Sequence, residues 1–527
     1  MKQSLHCFFI SFLLLFLWIL DCNAQRVRPF APNFEVCASC YPWQVHDETI
    51  GHILDNVTEL AGVNAIYLVG LMHKEHRPFA TDKFPQNPVR PVWDVEDSRV
   101  YWHPDFSLYG KIKPMQSDSA WLRETDWLKL LVDSAHARGI KAGVEISHTP
   151  IPASILKKNP AYQQQDINGN LKGGICPNNP DVREYLLALF GDLAKYYDVD
   201  WIQTCMYLYG GSTCFCPSCQ KEAKASGFDL AAAISVLKAN PKAQPQLNDW
   251  ITFRRNSVTK IYRLISDRIH HDNPDCDFRL NDVAPWSSVP DSLNGLYLQD
   301  LKPIFNSCVI QDHTEQIGRK DETFSMRKDW LTLNRSLLGN KVSHLSSVAA
   351  RMAATPELIK EGIQVAVDKG VDGIAIKHYD GSVYSQLRAV RNGLSAAKVR
   401  GFKPVFGIEA ENMTLSGYMQ DKCYNENCIK TDGEGVAKST FNGQSGIYNV
   451  VVSYTDDIGN GKISFFVGND LKASWILNED VSCWRRKTIL NTTLRNGDEI
   501  KIVGIANGSD HARVDFVELN YKEPLKN

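Results

Sequence analysis

Between Phe34 and Gly393 the chain repeats one unit, a short run rich in β-branched and aromatic residues followed by a stretch with helical spacing. The strand-like runs are "FEVCASCYPW", "NAIYLVGLM", "KAGVEISH", "DWIQTCMYLYG", "DFRLNDVAPW", "CVIQDHTE", "KVSHLSSVA" and "GIAIKHYDG". Between them lie segments such as "SAWLRETDWLKLLVDSAHARG", apolar at three-and-four spacing and closed by Gly139, and "TPELIKEGIQVAVDKG", capped by Thr355 and closed by Gly370. A helix between two strands returns the chain parallel to its start, so a succession of such units builds a parallel sheet with helices outside. Eight of them predict an α/β fold, a (β/α)8 (TIM) barrel over residues 30–400. The alternative, an open doubly wound sheet, would place a glycine-rich phosphate turn after its first strand, and "CASCYPW" is not one. About fifty residues rich in Trp, His and Pro separate the second strand from its helix, a length that favours an ordered wall on the face where barrel active sites form.

After "RGFKPV" the pattern changes. Residues 405–523 hold alternating runs, "GIYNVVVSYTD", "KISFFVGND", "EIKIVGIAN" and "ARVDFVELN", between Gly, Asn and Asp clusters. That is the pattern of an all-β sandwich, expected here as a jelly roll. At the other end, Lys2 precedes the apolar run "CFFISFLLLFLWIL", and a small residue, Ala24, follows it. The run is shorter than the roughly 20 residues a membrane span needs, so residues 1–24 read as a secretory signal and the chain as exported, extracellular or periplasmic. Lys and Arg number 58 against 60 Asp and Glu, without a basic block, which argues against a nucleic-acid or anionic-membrane partner. Five N-x-[ST] sequons begin at Asn56, Asn334, Asn412, Asn491 and Asn507 and would carry glycans only in a eukaryotic host.

The sandwich opens with "FGIEAENMTL" and nearly closes with "SDHARVDFVEL". Glu409 and Glu411 are two apart, and Asp515 lies on a last strand of the kind that pairs near the first. Three gathered carboxylates repel unless a hard cation accepts their oxygens. These residues resemble carbohydrate-binding module families 6 and 35, whose "EAEN" opening and "D-[FY]-[IV]-E-L" closing flank the domain. The resemblance implies a structural Ca²⁺ on Glu409, Glu411 and Asp515. It also implies a sugar site near Trp484 ("SCWRRKTI") and Asn507 ("IANGSD"). A core position is the other reading of Trp484. Cys423 and Cys428 in "CYNENC" are spaced to close a small loop by disulfide.

"CFCPSCQ" places Cys214, Cys216 and Cys219 just after the fourth strand, and Cys176 lies 38 residues before Cys214 on the preceding loop. In an exported chain these either bridge to remote partners, with Cys205, Cys37 and Cys40 available, or converge on a tetrahedral zinc. The layout resembles glycoside hydrolase family 42 β-galactosidases, which carry an upstream Cys and C-x-C-x-x-C around a structural Zn²⁺. The likeness is strongest over residues 176–230. It departs where those enzymes end the fourth strand in Asn-Glu: counting back from Cys214 reaches Cys205, and the seventh strand has no acid.

Glycosidic hydrolysis uses two carboxyl groups, which in a barrel sit at carboxyl-terminal strand ends. Asp282 with Asp312 or Glu315 is the expected working pair, on the fifth and sixth strands. Glu145, Tyr207, Trp286, His313, Lys377, His378 and Asp380 are the expected substrate contacts. The expected function is a secreted glycoside hydrolase on a plant or algal polysaccharide or oligosaccharide, without an organic cofactor. Two alternatives stay open: a glycan-binding protein with a degenerate barrel, and a polysaccharide lyase drawing on the histidine-rich second loop (His73, His76, His103).

Overall fold

A computed structural model describes residues 34–525 apart from 79–91, 207, 284–294, 313, 318–322, 352, 378, 404, 424–425 and 481–482. Eight parallel strands form the first domain: β1 (Glu35–Cys40), β2 (Ala65–Met72), β3 (Lys141–Ile146), β4 (Trp201–Thr204), β5 (Asp277–Val283), β6 (Ser307–Ile310), β7 (Ser343–Val348) and β8 (Gly373–Ile376). β1 pairs with β8 through Glu35↔Gly373 and with β2 through Cys37↔Ala65, so the sheet closes on itself. Helices α1 (Ile50–Ala61), α2 (Trp127–His136), α3 (Pro180–Tyr196), α4 (Gln246–Asp272), the short α5 (Leu298–Leu301), α6 (Thr323–Leu338), α7 (Pro356–Asp368) and α8 (Tyr384–Ala396) follow the strands in turn. The barrel expected from the repeats is the barrel observed.

Side chains fill its interior. Gly143 on β3 faces Trp201 on β4, and a Cβ there would stand 2.2 Å from the indole, so the glycine is what admits the tryptophan. Arg279 on β5 lies over Trp201 at 4.5 Å and binds Glu35 on β1 at 2.8 Å, a buried guanidinium paired across the barrel with a half-buried carboxylate. The long segment after β2 begins with a hairpin, Glu75–Pro78 against Val92–Val95. Strand Arg99–Val100 then pairs antiparallel with the end of β2.

The second domain is a two-sheet antiparallel sandwich. One sheet joins β9 (Phe406–Glu409), β11 (Met419–Cys423), β12 (Glu426–Lys430), β14 (Gly446–Thr455), β17 (Trp484–Leu494) and β19 (Val514–Glu523). The other joins β10 (Thr414–Ser416), β13 (Glu434–Thr440), β15 (Lys462–Val467), β16 (Asp470–Ile476) and β18 (Glu499–Ile505). Val450, Val452, Ile463, Phe465, Ile500 and Val517 meet in one core between the sheets. First and last strands do pair, Glu409↔Phe516, as the sequence suggested.

The sandwich is seated on α1 and α8. Arg388 of α8 reaches Glu518 at 2.9 Å and Glu409 at 3.0 Å while its guanidinium lies 3.9 Å over Phe516. Trp484 is buried in this junction, 1% exposed, and packs at 6.4 Å on Tyr384. The expected sugar platform is therefore an interdomain core residue, because burial leaves no indole face for a ligand. The sequon at Asn56 has the same fate: Asn56 is fully buried, donates to Tyr379 at 2.9 Å and accepts from Tyr384 at 2.9 Å and from Arg486. Asn334 is likewise buried, whereas Asn412, Asn491 and Asn507 are exposed.

Candidate active site

Glu145, near the end of β3, is the centre of a polar network at the carboxyl-terminal mouth of the barrel. Its Oε2 accepts from Gln203 Nε2 of β4 at 2.6 Å and from Asn281 Nδ2 of β5 at 2.7 Å. Neither amide has a choice of orientation. Gln203 Oε1 accepts the Trp201 indole N–H at 2.9 Å, and Asn281 Oδ1 accepts the Lys377 ammonium at 2.9 Å; both of those partners only donate. Each amide therefore turns its N–H₂ toward the carboxylate. Four strands thus fix one carboxylate in position, and the amides and Lys377 are buried while Glu145 is half-buried. Lys377 and Asp380, both buried, bring the end of β8 to this mouth.

Asp312 and Glu315 are placed differently. Arg327 of α6 reaches Asp312 Oδ2 at 2.6 Å through Nε and clamps Glu315 with two bonds of 2.7 and 2.9 Å. Asp312 Oδ1 accepts from the Thr314 backbone at 3.0 Å and from its hydroxyl, and Glu315 Oε2 also accepts from Ala349 N at 3.3 Å. All four carboxylate oxygens are occupied and all three residues are buried. Gly362 of α7 makes room for this cluster, since a Cβ there would lie 2.2 Å from Glu315 Oε1. Burial pushes the Glu315 carboxyl up, with Arg327 opposing it. Burial pulls the guanidinium down, and the Glu315 and Asp312 charges outweigh that and hold it above its ordinary value. Asp312 and Glu315, the two expected sixth-strand partners for Asp282, are thus the buried ion cluster of a structural brace. The correction has a simple cause: the arginine that claims both acids is a dozen residues further on, on a helix, and its partners are not legible from spacing.

The side chain of Asp282 lies outside the described residues, as do Tyr207, Trp286, His313 and His378. The backbone of Asp282 is on β5, where the register with β6 shifts between Leu280 and Val283. Asn281 and Gln203, which sequence reading passed over, carried one signal: amides at positions of barrel strands that turn out to be buried.

The four cysteines do come together. The Sγ atoms of Cys176, Cys214, Cys216 and Cys219 all lie within 4.8 Å of one another, with Cys176 3.5 Å from Cys219 and 3.3 Å from Cys216. A tetrahedral zinc with bonds of about 2.3 Å would separate its sulfurs by roughly 3.8 Å. Gln165 N and Asn178 Nδ2 donate to Cys214 and Cys219 at 3.4 Å each, the outer contacts that a thiolate cluster requires. Cys37 and Cys40 are free thiols on β1, and so are Cys423 and Cys428, which lie opposite Glu426 and Asp421 in the β11–β12 hairpin.

Among the described residues no second group of three ligand atoms is as close. Glu409 is turned to Arg388 at 3.0 Å. Glu411 Oε2 and Asp515 Oδ2 are nevertheless buried without a hydrogen-bond partner. Burial first, then the charge of Glu426, holds the Asp515 carboxyl well above the usual carboxylate range. Orphaned carboxylate oxygens under mutual repulsion are a donor set suited to a hard cation. Asn507 sits on an exposed turn closed by reciprocal backbone bonds with Asp510.

No family model matches the chain. Over 135 residues, 21% of this chain, it is 33% identical to alpha-glucuronidase A of Aspergillus tubingensis, an alignment that takes in 16% of that enzyme. The chain thus spans about a sixth of the length of the curated relatives it matches. The glycoside hydrolase domain of PgaB (BpsB) from Bordetella bronchiseptica superposes on 71% of this chain and 100% of that one, with 13% identity and a TM-score of 0.48. A beta-galactosidase from Bacillus circulans sp. alkalophilus covers 70% of this chain and 56% of its own, with 16% identity and a TM-score of 0.45.

Proposed function

We propose that the chain is a secreted glycoside hydrolase acting on a polysaccharide or oligosaccharide, with Glu145 as a reacting carboxylate. The observation that carries this reading is the Glu145 network: a carboxylate held by two oriented amides at the mouth of a (β/α)8 barrel, where reacting groups of this fold reside. Such a group serves as the nucleophile of a retaining mechanism or as the base that activates water in an inverting one. The second carboxyl, the acid that protonates the leaving oxygen, is assigned to Asp282 from its place in the sequence beside Asn281. The local identity to an alpha-glucuronidase supports a glucuronosyl-bearing glycan as the substrate class.

The four cysteines hold a structural Zn²⁺ that ties the loop after β3 to the loop after β4. Glu411 and Asp515, with Glu409 shared between Arg388 and the ion, hold a Ca²⁺ at the base of a sugar-binding sandwich. A module seated firmly on the barrel keeps cleavable bonds near the mouth by raising their local concentration.

Glu145→Gln keeps the size and hydrogen bonding of the side chain and removes its charge. On a panel of uronosyl and neutral glycans it is expected to lower turnover by about 10³-fold, within the range for a lost acid–base group, at an unchanged circular dichroism spectrum. Equal turnover in wild type and variant would refute the assignment.

A further inference from the structure

Counting back from the cysteine trio places a thiol, Cys205, where a related barrel would carry its proton donor. The structure gives that thiol a base. Cys205 Sγ lies 3.2 Å from His148 Nδ1, and His148 Nε2 lies 3.3 Å from His73 Nε2. His73 Nδ1 in turn meets Ser147 Oγ at 2.5 Å, and Glu75 stands 3.9 Å from His73 Nε2. Two assignments of protons fit these contacts. In one, Cys205 donates to His148 Nδ1, His148 Nε2–H to His73 Nε2, and His73 Nδ1–H to Ser147. In the other every bond is reversed, so that His148 Nδ1–H donates to the Cys205 sulfur and His73 carries its proton on Nε2, the nitrogen facing Glu75. Either way a buried thiol is joined through an exposed histidine to the loop after β2.

We propose that Cys205 and His148 form a thiolate–imidazolium pair that catalyses acyl transfer from esters entering the barrel mouth. A nucleophile, an adjacent base and a third group that orients the base are the parts of covalent catalysis. The placement favours an acyl over a glycosyl carbon. In direct displacement at a sugar carbon the leaving group departs on the side opposite the nucleophile, out of reach of a proton on the nucleophile's own base. In addition to a carbonyl the leaving oxygen stays beside it. The Cys205 sulfur, its proton already on His148 Nδ1, adds to the carbonyl carbon. The carbon–oxygen bond to the alcohol then breaks, and the alkoxide takes the proton from His148. Water, losing a proton to His148, next attacks the thioester. The carbon–sulfur bond breaks, the acid leaves, and the thiolate–imidazolium pair is restored. Ester and water become acid and alcohol. That the natural ester belongs to a sugar rests on the glycan reading above; the thiol chemistry does not.

The test uses two reagents that contain no glycosidic bond, so its failure is separable from failure of the hydrolase assignment. With p-nitrophenyl acetate at pH 7, full-length protein is expected to release a burst of p-nitrophenolate equal to the enzyme present. One acetyl group should appear on the peptide containing Cys205. His148→Gln is expected to slow that acetylation about 10²-fold or more, and Cys205→Ala to abolish it. With iodoacetamide, an ordinary thiol slows on the order of 10²-fold between pH 9 and pH 6 as its thiolate is lost, whereas Cys205 is expected to keep most of its rate. The proposal falls if Cys205 is unmodified by either reagent in the folded protein. It also falls if Cys205 follows the ordinary thiol profile, or if His148→Gln is acetylated as fast as wild type.

Discussion

Replacing Arg327 by methionine tests whether Asp312 and Glu315 are a brace or whether either is a catalytic partner of Asp282. The guanidinium makes three bonds of 2.6 to 2.9 Å to two carboxylates in a site closed to solvent, and it lies 5.2 Å over the Phe324 ring. Methionine keeps much of the aliphatic volume and removes every bond. Two buried carboxyls are then left to repel each other, with Thr314 and Ala349 among the few remaining donors. Breaking a buried ion pair from one side costs about 3–5 kcal/mol. That is a large share of the roughly 5–15 kcal/mol by which a domain is stable. Urea unfolding followed by tryptophan fluorescence should show the barrel transition moving to much lower denaturant. Adding Asp312→Asn and Glu315→Gln to Arg327→Met should recover most of the loss, because three neutral groups no longer demand a countercharge. Glycan turnover per folded molecule should stay near wild type in that triple variant. The reasoning is refuted if Arg327→Met unfolds at the wild-type midpoint, or if the triple variant is as stable as wild type but inactive on glycans that wild type cleaves.

Two further predictions concern the cysteine cluster and the sandwich. Metal analysis of purified protein should find about one zinc per chain, and Cys176→Ser or Cys219→Ser should remove it and lower the barrel's unfolding midpoint; a metal-free wild type with ordinary stability would contradict the quartet's assignment. In the sandwich, burial raises the Asp510 carboxyl to about 6, with one of its oxygens lacking a partner. A carboxyl raised on folding contributes stability that is fully present below the unfolded value near 4 and is lost as pH rises through about 6. In EDTA, Asp510→Asn should therefore match wild type near pH 4 and exceed it above pH 6 by denaturant unfolding, and an Asn variant weaker than wild type at pH 8 would reverse the sign.

The barrel was legible because its signal is repeated. Strand and helix periods alternate through the first domain, and each expected strand has an observed counterpart from β1 to β8. The cysteine quartet was legible for a different reason: cysteine is rare, and a short spacing plus an upstream partner on the neighbouring loop leaves few geometries. Asp312 and Glu315 misled because a carboxylate at a strand end looks the same in sequence whether it faces a cleft or an arginine. Only the fold shows Arg327 reaching back from α6 and Gly362 of α7 clearing space for Glu315. Trp484 misled in the same way, since the surface that covers it belongs to the other domain.

The end of β4 bears on both chemistries at the mouth of this barrel. It supplies Gln203 to orient Glu145 and, two residues on, Cys205 to meet His148. Those two roles place different demands on the partner. The amide serves a carboxylate that needs to stay ionised and fixed, while the imidazole serves a thiol by holding its proton. A carboxylate at position 205 would take the place of the sulfur beside His148 and end the thiol chemistry. Cys205→Glu is therefore the informative substitution for the whole site. If β4 is only a degenerate copy of an acid-bearing strand, it should raise glycan turnover. If Glu145 and the thiol–imidazole pair are the working groups, it should leave glycan turnover no higher than wild type and abolish acetylation by p-nitrophenyl acetate.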